Sequence, residues 1–325
     1  MKAILVNENR SLRWDTVPDP IVGEDDCLVK IEAAAVNRAD LMQREGDYPP
    51  PPGCPEWMGL EIAGTVVATG KNAKSKWKIG DKVCALLGGG GYAEFANIKY
   101  DMLMPIPKGF SVVEAAAMPE AFATAYLNLF IEGKAKAGDT LLMNAGASGL
   151  ASVVIPMAKA FGMRVITTII KEEKREKVAL TGADRIINTR TEDITSALKE
   201  EAEAGHPVDI AIDCLGGDVM GKCLHFLSHG ARWIMIASLA GQFTEIDLKN
   251  IYVRNVRIIG STLRSRTPET KARILRELVE NVWPKAEAGL IRPTIHAVLP
   301  ITDAEAAHDI LYKGENIGKV VLTVE

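Results

Sequence analysis

At 325 residues the chain is longer than one typical domain, so two domains are expected, and 47% hydrophobic with 25% charged residues is the balance of a globular protein with ample core. A net charge of −4 gives nucleic acid or an anionic membrane surface little to bind. No apolar run has the length of a membrane span, and the start, MKAILVNENRSLRW, is too short in its apolar part for a secretory signal. Cys27, Cys54, Cys84, Cys214 and Cys223 are odd in number and never spaced C-x-x-C, which points to reduced thiols in a cytoplasmic protein and away from a structural zinc lobe.

Taken in order, residues 1 to about 120 read as mostly β. The N-terminus is a strand, and runs such as Cys27 to Ala33 and Gly64 to Ala68 are separated by Pro, Gly and Asp clusters. Gly80 and Asp81 turn into another strand, and Gly88 to Gly91 is expected to be a mobile loop before Tyr92. From Ser111 the texture changes, with helical periodicity over Val113 to Met118 and Ala121 to Phe130.

Strands and helices then alternate. Strands are predicted at Thr140 to Asn144, Arg164 to Ile169, Arg185 to Ile187, Asp209 to Asp213, Arg232 to Ile236 and Val256 to Gly260. Helices are predicted over 149–161, 172–181, 191–204 and 218–228. Apolar strands without polar alternation suit a parallel sheet covered on both faces, so the fold class is α/β with a doubly wound sheet. Pro156 falls inside the first of these helices and is expected to kink it. A long helix from Pro268 to Ala288 and strands near His296 to Leu299 and Lys319 to Val324 return to the texture of the first domain.

The central stretch is Thr140 to Ala151, TLLMNAGASGLA. An apolar strand breaking into small residues and then into an apolar helix is how a dinucleotide-binding βαβ unit opens, with backbone N–H groups of Gly146, Ser148, Gly149 and Leu150 facing the pyrophosphate. The spacing is not G-x-G-x-x-G, and by itself the turn equally suits an ordinary βα connection. About 20 residues past the glycines, where an NAD-binding strand ends in Asp or Glu, stand Ile169, Ile170 and Lys171, with Lys174 and Arg175 following. Cations without the acid favour the 2′-phosphate of NADP(H). The opposing reading is a solvated, mixed-charge helix start.

Whole-chain motifs carry a resemblance. Asn37 to Arg44 (NRADLMQR), Gly46-Asp47-Tyr48 with four prolines, Pro55-x-x-x-Gly59-x-Glu61-x-x-Gly64, PEAFATAY from Pro119, GGD from Gly216, LRSR from Leu263 and NIGKVVL from Asn316 resemble the zinc-free quinone oxidoreductases of the medium-chain dehydrogenase/reductase superfamily. The pattern is closest to the tumour-suppressor-inducible subgroup. The resemblance implies a GroES-like, mostly-β catalytic domain over 1–121 and 264–325 and a Rossmann domain over 122–263, with the cofactor in the cleft between them. It implies contacts to the nicotinamide from Thr124, to its ribose from Ser238, Leu239 and Gly241, to the 2′-phosphate from Lys174, and to the phosphates from Asn316 and Lys319. Thr189 stands where relatives carry a Tyr beside the 2′-phosphate.

Asn37 and Leu60 stand where zinc-bearing relatives carry Cys and His. An amide and a leucine cannot make a zinc site, so no metal is expected. Tyr48, Asn37 and Asp40 are the implied cleft residues. Tyr48 is the candidate proton donor or a stacking residue, and Asp40 either acts there or braces the Asn37 loop.

The resemblance implies transfer of hydride, or of single electrons, from NADPH to a quinone. The alternatives are reduction of an enal, enone or enoyl-thioester double bond, and a non-catalytic NADPH-binding sensor or crystallin-like protein. Relatives dimerise through the last Rossmann strand, here Val256 to Ser261, so a homodimer is expected.

Overall fold

The computed structural model describes all 325 residues. The chain divides into two compact units, one from Met1–Ala123 with Arg264–Glu325 and one from Thr124–Leu263.

The first unit opens with an antiparallel pair, β1 (Lys2–Val6) and β2 (Leu12–Thr16). Its main sheet is built from β3 (Asp26–Val36), β4 (Glu61–Thr69), β5 (Lys82–Leu86), β6 (Phe95–Lys99) and β7 (Leu103–Pro105). β3 pairs antiparallel with both β4 and β6. Gly64 sits where the β3–β4 register shifts, and a Cβ there would lie 2.0 Å from the Lys30 carbonyl, so only glycine fits. Met58, Ile62, Tyr92, Val29 and Ile31 are buried in one apolar cluster over the sheet.

The second unit is one parallel sheet of β8 (Thr140–Met143), β9 (Arg164–Ile169), β10 (Arg185–Asn188), β11 (Val208–Asp213), β12 (Leu227–Met235) and β13 (Arg257–Gly260). The order is β10-β9-β8-β11-β12-β13, the doubly wound Rossmann arrangement. β8 is buried along its whole length, which is why it shows no polar alternation. The helix Ala151–Ala160 runs on through Pro156.

The chain then re-enters the first unit. β14 (Ile295–Pro300) pairs parallel with β15 (Lys319–Thr323), and β15 lies antiparallel against β3, so the last strand is an integral part of the first sheet. The long helix divides into Pro268–Asn281 and Trp283–Glu287, with Pro284 opening the second piece. The helices Arg38–Glu45, Leu248–Arg254 and Ala304–Tyr312 are additions to the predicted set. No helix is long and apolar enough to cross a membrane.

Gly88 to Gly91 corrects an expectation. The segment is hydrogen-bonded to the backbone of 57–59, with Gly90 N–H on the Trp57 carbonyl at 2.8 Å and Gly91 N–H on that of Gly59 at 3.0 Å. A Cβ on Gly59 (φ +106°) would lie 2.5 Å from Gly91 Cα. The glycines are there for close approach of two backbones rather than for mobility.

Candidate active site

In the Rossmann unit the strand order reverses between β8 and β11, and in open α/β sheets ligands bind beyond the carboxyl ends at such a point. The two strand ends are joined there. Asn144 Nδ2 donates to Asp213 Oδ1 at 3.1 Å, and Thr168 Oγ1 donates to Asn144 Oδ1 at 3.3 Å. The turn between β8 and the helix is fastened to β9 by Gly146 N–H on the Thr168 carbonyl at 2.7 Å. A Cβ on Gly146 would meet Thr167 Oγ1 at 2.4 Å. Ser148 Oγ accepts from Ala151 N–H at 3.1 Å, capping the helix.

The N–H groups of Ala147, Gly149 and Leu150 make no hydrogen bond within the protein. Three open donors at the head of a ten-residue helix fit a pyrophosphate. Of the expected pyrophosphate residues, Gly149 and Leu150 offer N–H groups. Gly146 and the Ser148 hydroxyl shape the turn instead.

The loops after β11 and β12 are stitched together. Leu239 N–H donates to the Cys214 carbonyl at 3.2 Å, Ala240 N–H to Leu215 at 2.7 Å, and Gly217 N–H to Gly241 at 2.9 Å. Gly216 has φ +65°, and a Cβ on it would lie 2.4 Å from the Gly241 carbonyl. Ser238 precedes this seam, and Leu239 is half exposed on it. Thr124 is the first residue of this unit, and its carbonyl accepts from Asn128 Nδ2 at 2.8 Å.

At the end of β9 Glu172 is locally paired, while the neighbouring Glu173 is exposed and makes no ion pair. Glu172 is paired with Arg175 and accepts from Asn188 Nδ2 at 2.7 Å, while Arg175 also reaches Glu192 at 3.1 Å. Arg175 holds the Glu172 carboxyl below its ordinary range. The side chains of Lys171 and Arg190 have no ionic partner. Lys174 is half-buried beside them. Thr189 is tied back to β9, its N–H on the Ile169 carbonyl at 2.9 Å.

The first unit holds a network of side chains distant in sequence. Asp40 is the third residue of the helix Arg38–Glu45, and its Oδ2 accepts the Asn37 N–H at 2.8 Å. Its Oδ1 accepts the Gly59 N–H at 3.0 Å, and Tyr92 OH donates to Oδ2 at 3.1 Å. Asp40 is fully buried, and desolvation pushes its pKa up to about 6 against these hydrogen bonds. His308 Nε2 lies 3.4 Å from Tyr92 OH, its Nδ1 has no partner, and burial pushes its pKa down to about 3.

Asn37 Nδ2 donates to Glu61 Oε1 at 3.0 Å and to the Ala35 carbonyl at 3.3 Å. Lys319 Nζ donates to Asn37 Oδ1 at 2.7 Å and to Glu61 Oε1 at 2.6 Å. Glu61 Oε2 accepts the Glu120 N–H at 2.8 Å. Lys319 and Glu61 are buried, and such a pair survives because the remaining donors and acceptors around it are filled.

Of the two readings of Asp40, the structure favours the brace: it is buried, and its two oxygens hold the Asn37 and Gly59 backbones. Two other expectations need correcting here. Both amide hydrogens of Asn37 are engaged inside the protein, so it too is a positioning residue. Lys319 is 3% exposed and directed at Glu61, not at cofactor phosphates. Asn316 donates from Nδ2 to the Gly318 carbonyl at 2.8 Å, which shapes the turn into β15.

Asn37 and Tyr48 are both partly exposed, but the Asn37 amide is engaged inside the protein, which leaves Tyr48 as the implied cleft residue to meet a ligand. Its ring lies under the Arg264 guanidinium, 4.5 Å from Cζ to the ring centroid. Burial raises its phenol pKa, and the Arg264 charge opposes that rise. Tyr92, His308 and Gln43 were not singled out from the sequence. Only the run of four glycines before Tyr92 hinted that its surroundings were special.

The residues present do not fit zinc. No three His, Cys, Asp or Glu side chains gather into a metal-binding group. Beside Asn37 and Glu61 stands the Lys319 ammonium, a cation where a metal would need donors.

Comparisons with known proteins agree with this architecture. Residues 23–108 match the alcohol dehydrogenase GroES-like domain family and residues 149–280 the zinc-binding dehydrogenase family. The quinone oxidoreductase of Homo sapiens is 30% identical over 306 residues, 93% of this chain and 90% of that protein. A highly reducing polyketide synthase of Emericella nidulans is 28% identical over 97% of this chain, which spans only 12% of that much longer protein. The solved structure of a mycobacterial quinone oxidoreductase superposes with a TM-score of 0.83 at 26% identity, covering 99% of both chains. With the Rossmann order, the open N–H groups at the helix head and these relatives, the chain belongs to the medium-chain dehydrogenase/reductase superfamily, a family of nicotinamide-dependent oxidoreductases that includes the quinone oxidoreductases.

Proposed function

We propose that the protein is an NADPH-dependent quinone oxidoreductase working without a metal, of the kind found in the tumour-suppressor-inducible subgroup. The observation that carries the cofactor preference is the end of β9, where Glu172 is neutralised by Arg175 and Asn188 while Lys171 and Arg190 keep uncommitted charges. A 2′-phosphate gains charge-assisted hydrogen bonds at such a place, and a ribose 2′-OH finds no carboxylate. The quinone class rests on the relatives.

When bound, NADPH supplies the hydride. The chain's part is to hold, orient and exclude water. The N–H groups of Ala147, Gly149 and Leu150 take the pyrophosphate. The stitched loops at Ser238 to Gly241 and the helix at Thr124 are the candidate nicotinamide contacts. Asn37, Asp40, Glu61 and Lys319 hold the shape of the first unit around Gly59. Tyr48 donates the proton to the reduced quinone oxygen or stacks on the acceptor, and Tyr48→Phe separates these roles. Loss of turnover with unchanged KM marks a donor, and full activity marks a stacking residue.

A second reading, reduction of a conjugated double bond, is favoured by the polyketide synthase match. The discriminating experiment is NADPH oxidation with 1,4-benzoquinone, 9,10-phenanthrenequinone and a simple enone, each repeated with NADH. NADPH-specific turnover of the quinones supports the first reading. Turnover of the enone alone moves the protein to the second. Tight NADPH binding without turnover of any acceptor leaves the sensor.

We also propose a homodimer. β13 is the last strand of its sheet, and Ile258 on it, with Leu248, Tyr252 and Val253 on the adjacent helix, exposes apolar surface beside an open edge. A second copy pairing edge to edge covers both. A monomer by light scattering excludes it.

A further inference from the structure

Arg264 is the first residue of the returning chain, and its side chain is 9% exposed. No carboxylate pairs with it. Instead Nη1 donates to the Tyr48 carbonyl at 3.0 Å, Nη2 to Gln43 Oε1 at 2.7 Å and to the Gly88 carbonyl at 2.8 Å, and Nε to the same carbonyl at 3.2 Å. The guanidinium also covers the Tyr48 ring. Gln43 passes the connection on, donating from Nε2 to the Glu56 carbonyl at 2.8 Å. One planar cation thus ties both ends of the proline-rich loop, 43–56, to the glycine segment at Gly88. Its own carbonyl accepts from Lys271 Nζ at 2.7 Å.

A buried guanidinium is costly unless its donors are filled, and here three carbonyl-type oxygens fill four of its hydrogen bonds. Lysine has the charge but not the fork, so it cannot make this set. The aromatic face takes up part of the charge that no carboxylate neutralises. Burying the cation therefore defines where the Tyr48 ring stands.

We infer that Arg264 is the positioning residue for the acceptor, clamping Tyr48 by its carbonyl and by its ring and locking the 43–56 loop to Gly88. The inference rests on the quinone reading for its kinetic consequence, but the clamp itself is independent of the acceptor. With Tyr48 held, the acceptor meets a preset surface. With it loose, each binding event must order the loop first, and kcat/KM for the acceptor falls.

The test compares wild type, Arg264→Met, Arg264→Lys, Tyr48→Leu and the Tyr48→Leu/Arg264→Met double variant. The readouts are KM and kcat for 9,10-phenanthrenequinone at saturating NADPH, NADPH affinity by fluorescence, and hydrogen exchange of 43–57 and 86–92 without any acceptor. Arg264→Met is expected to lower kcat/KM for the quinone about tenfold. NADPH affinity should be unchanged, and exchange in both segments should rise together. Arg264→Lys should recover part of kcat/KM, since the charge still faces the ring. In the Tyr48→Leu background the Arg264→Met change should add less than about twofold to the exchange rates of the two segments.

Equal effects in both backgrounds overturn the inference, as does unchanged exchange in the two segments. If wild type reduces no quinone while both segments still loosen together in Arg264→Met, the quinone reading falls and the clamp stands.

Discussion

The two units solve the same problem, presenting polar groups to a ligand, in opposite ways. The Rossmann unit does it with backbone. Ala147, Gly149 and Leu150 leave N–H groups open, and the nearby side chains are small or capped. The first unit does it with side chains that are almost all satisfied. Asn37, Asp40, Glu61 and Lys319 bond to one another and to backbone, and Tyr48 is left partly exposed. An open backbone site is ready for an anion and adds little to stability. A closed side-chain network adds rigidity and binds nothing itself. Substitutions should therefore separate the units, with stability failing in one and cofactor binding in the other.

The largest effect should come from the closed network. Lys319→Met leaves the Glu61 carboxylate buried and unpaired, and the cost should be about 3–5 kcal/mol of unfolding free energy. Calorimetry would show it as a marked fall in Tm, and adding Glu61→Gln should restore much of the loss. If Lys319 instead bound phosphate, NADPH affinity would fall and Tm would hardly move.

Next comes the open site. Gly146→Ala drives a methyl group into Thr167 and displaces the turn that carries the free N–H groups. NADPH affinity, read by fluorescence titration, should weaken about thirtyfold, or about 2 kcal/mol. The fall in Tm should be smaller than for Lys319→Met.

A third prediction concerns pH and again belongs to the closed network. His308 is held neutral with its pKa pushed to about 3, so the unfolded chain binds its proton first as pH falls below about 6.5, and stability is lost on that side. Asp40 works the other way. Its folded pKa of about 6 lies above the ordinary 3.8, so the folded state holds its proton longer and stability falls as pH rises from about 4 to 6. His308→Gln removes the first limb alone. Its loss of stability between pH 7.5 and 4.5, from urea unfolding, should be smaller than that of wild type by about 2.7 kcal/mol.

The smallest effect should be Arg190→Gln, which removes one exposed cation near the end of β9. NADPH should bind about fivefold more weakly, about 1 kcal/mol, with NADH unaffected and the difference shrinking at high salt. Equal weakening of both nucleotides would remove the 2′-phosphate argument.

The same contrast explains what could be read in advance. The strand and helix alternation from Thr140 to Gly260, and the small-residue turn at Gly146 and Gly149, are local patterns, and the sheet follows them strand by strand. The first unit's network is not local. Asn37 meets Lys319 across nearly the whole chain, and Arg264 meets Gln43 and Tyr48 from the far side of the Rossmann unit in sequence. Lys319 therefore looked like a phosphate ligand, and Gly88 to Gly91 looked mobile. Spacing says nothing about which partners a strand pairing brings together.

The sequence alone determined the alternating strands and helices of the Rossmann unit, the two textures and the small-residue turn at the helix head, because these depend on residues a few positions apart: apolar runs for strands, small residues where a helix head must stay open. The tertiary structure decided which charges are committed. β15 lies against β3, so Lys319 is delivered to Glu61 and Asn37 and removed from solvent. Burial then fixes what each group can do, since a buried charge must be satisfied by whatever the fold puts beside it, and only those left unsatisfied remain for a ligand.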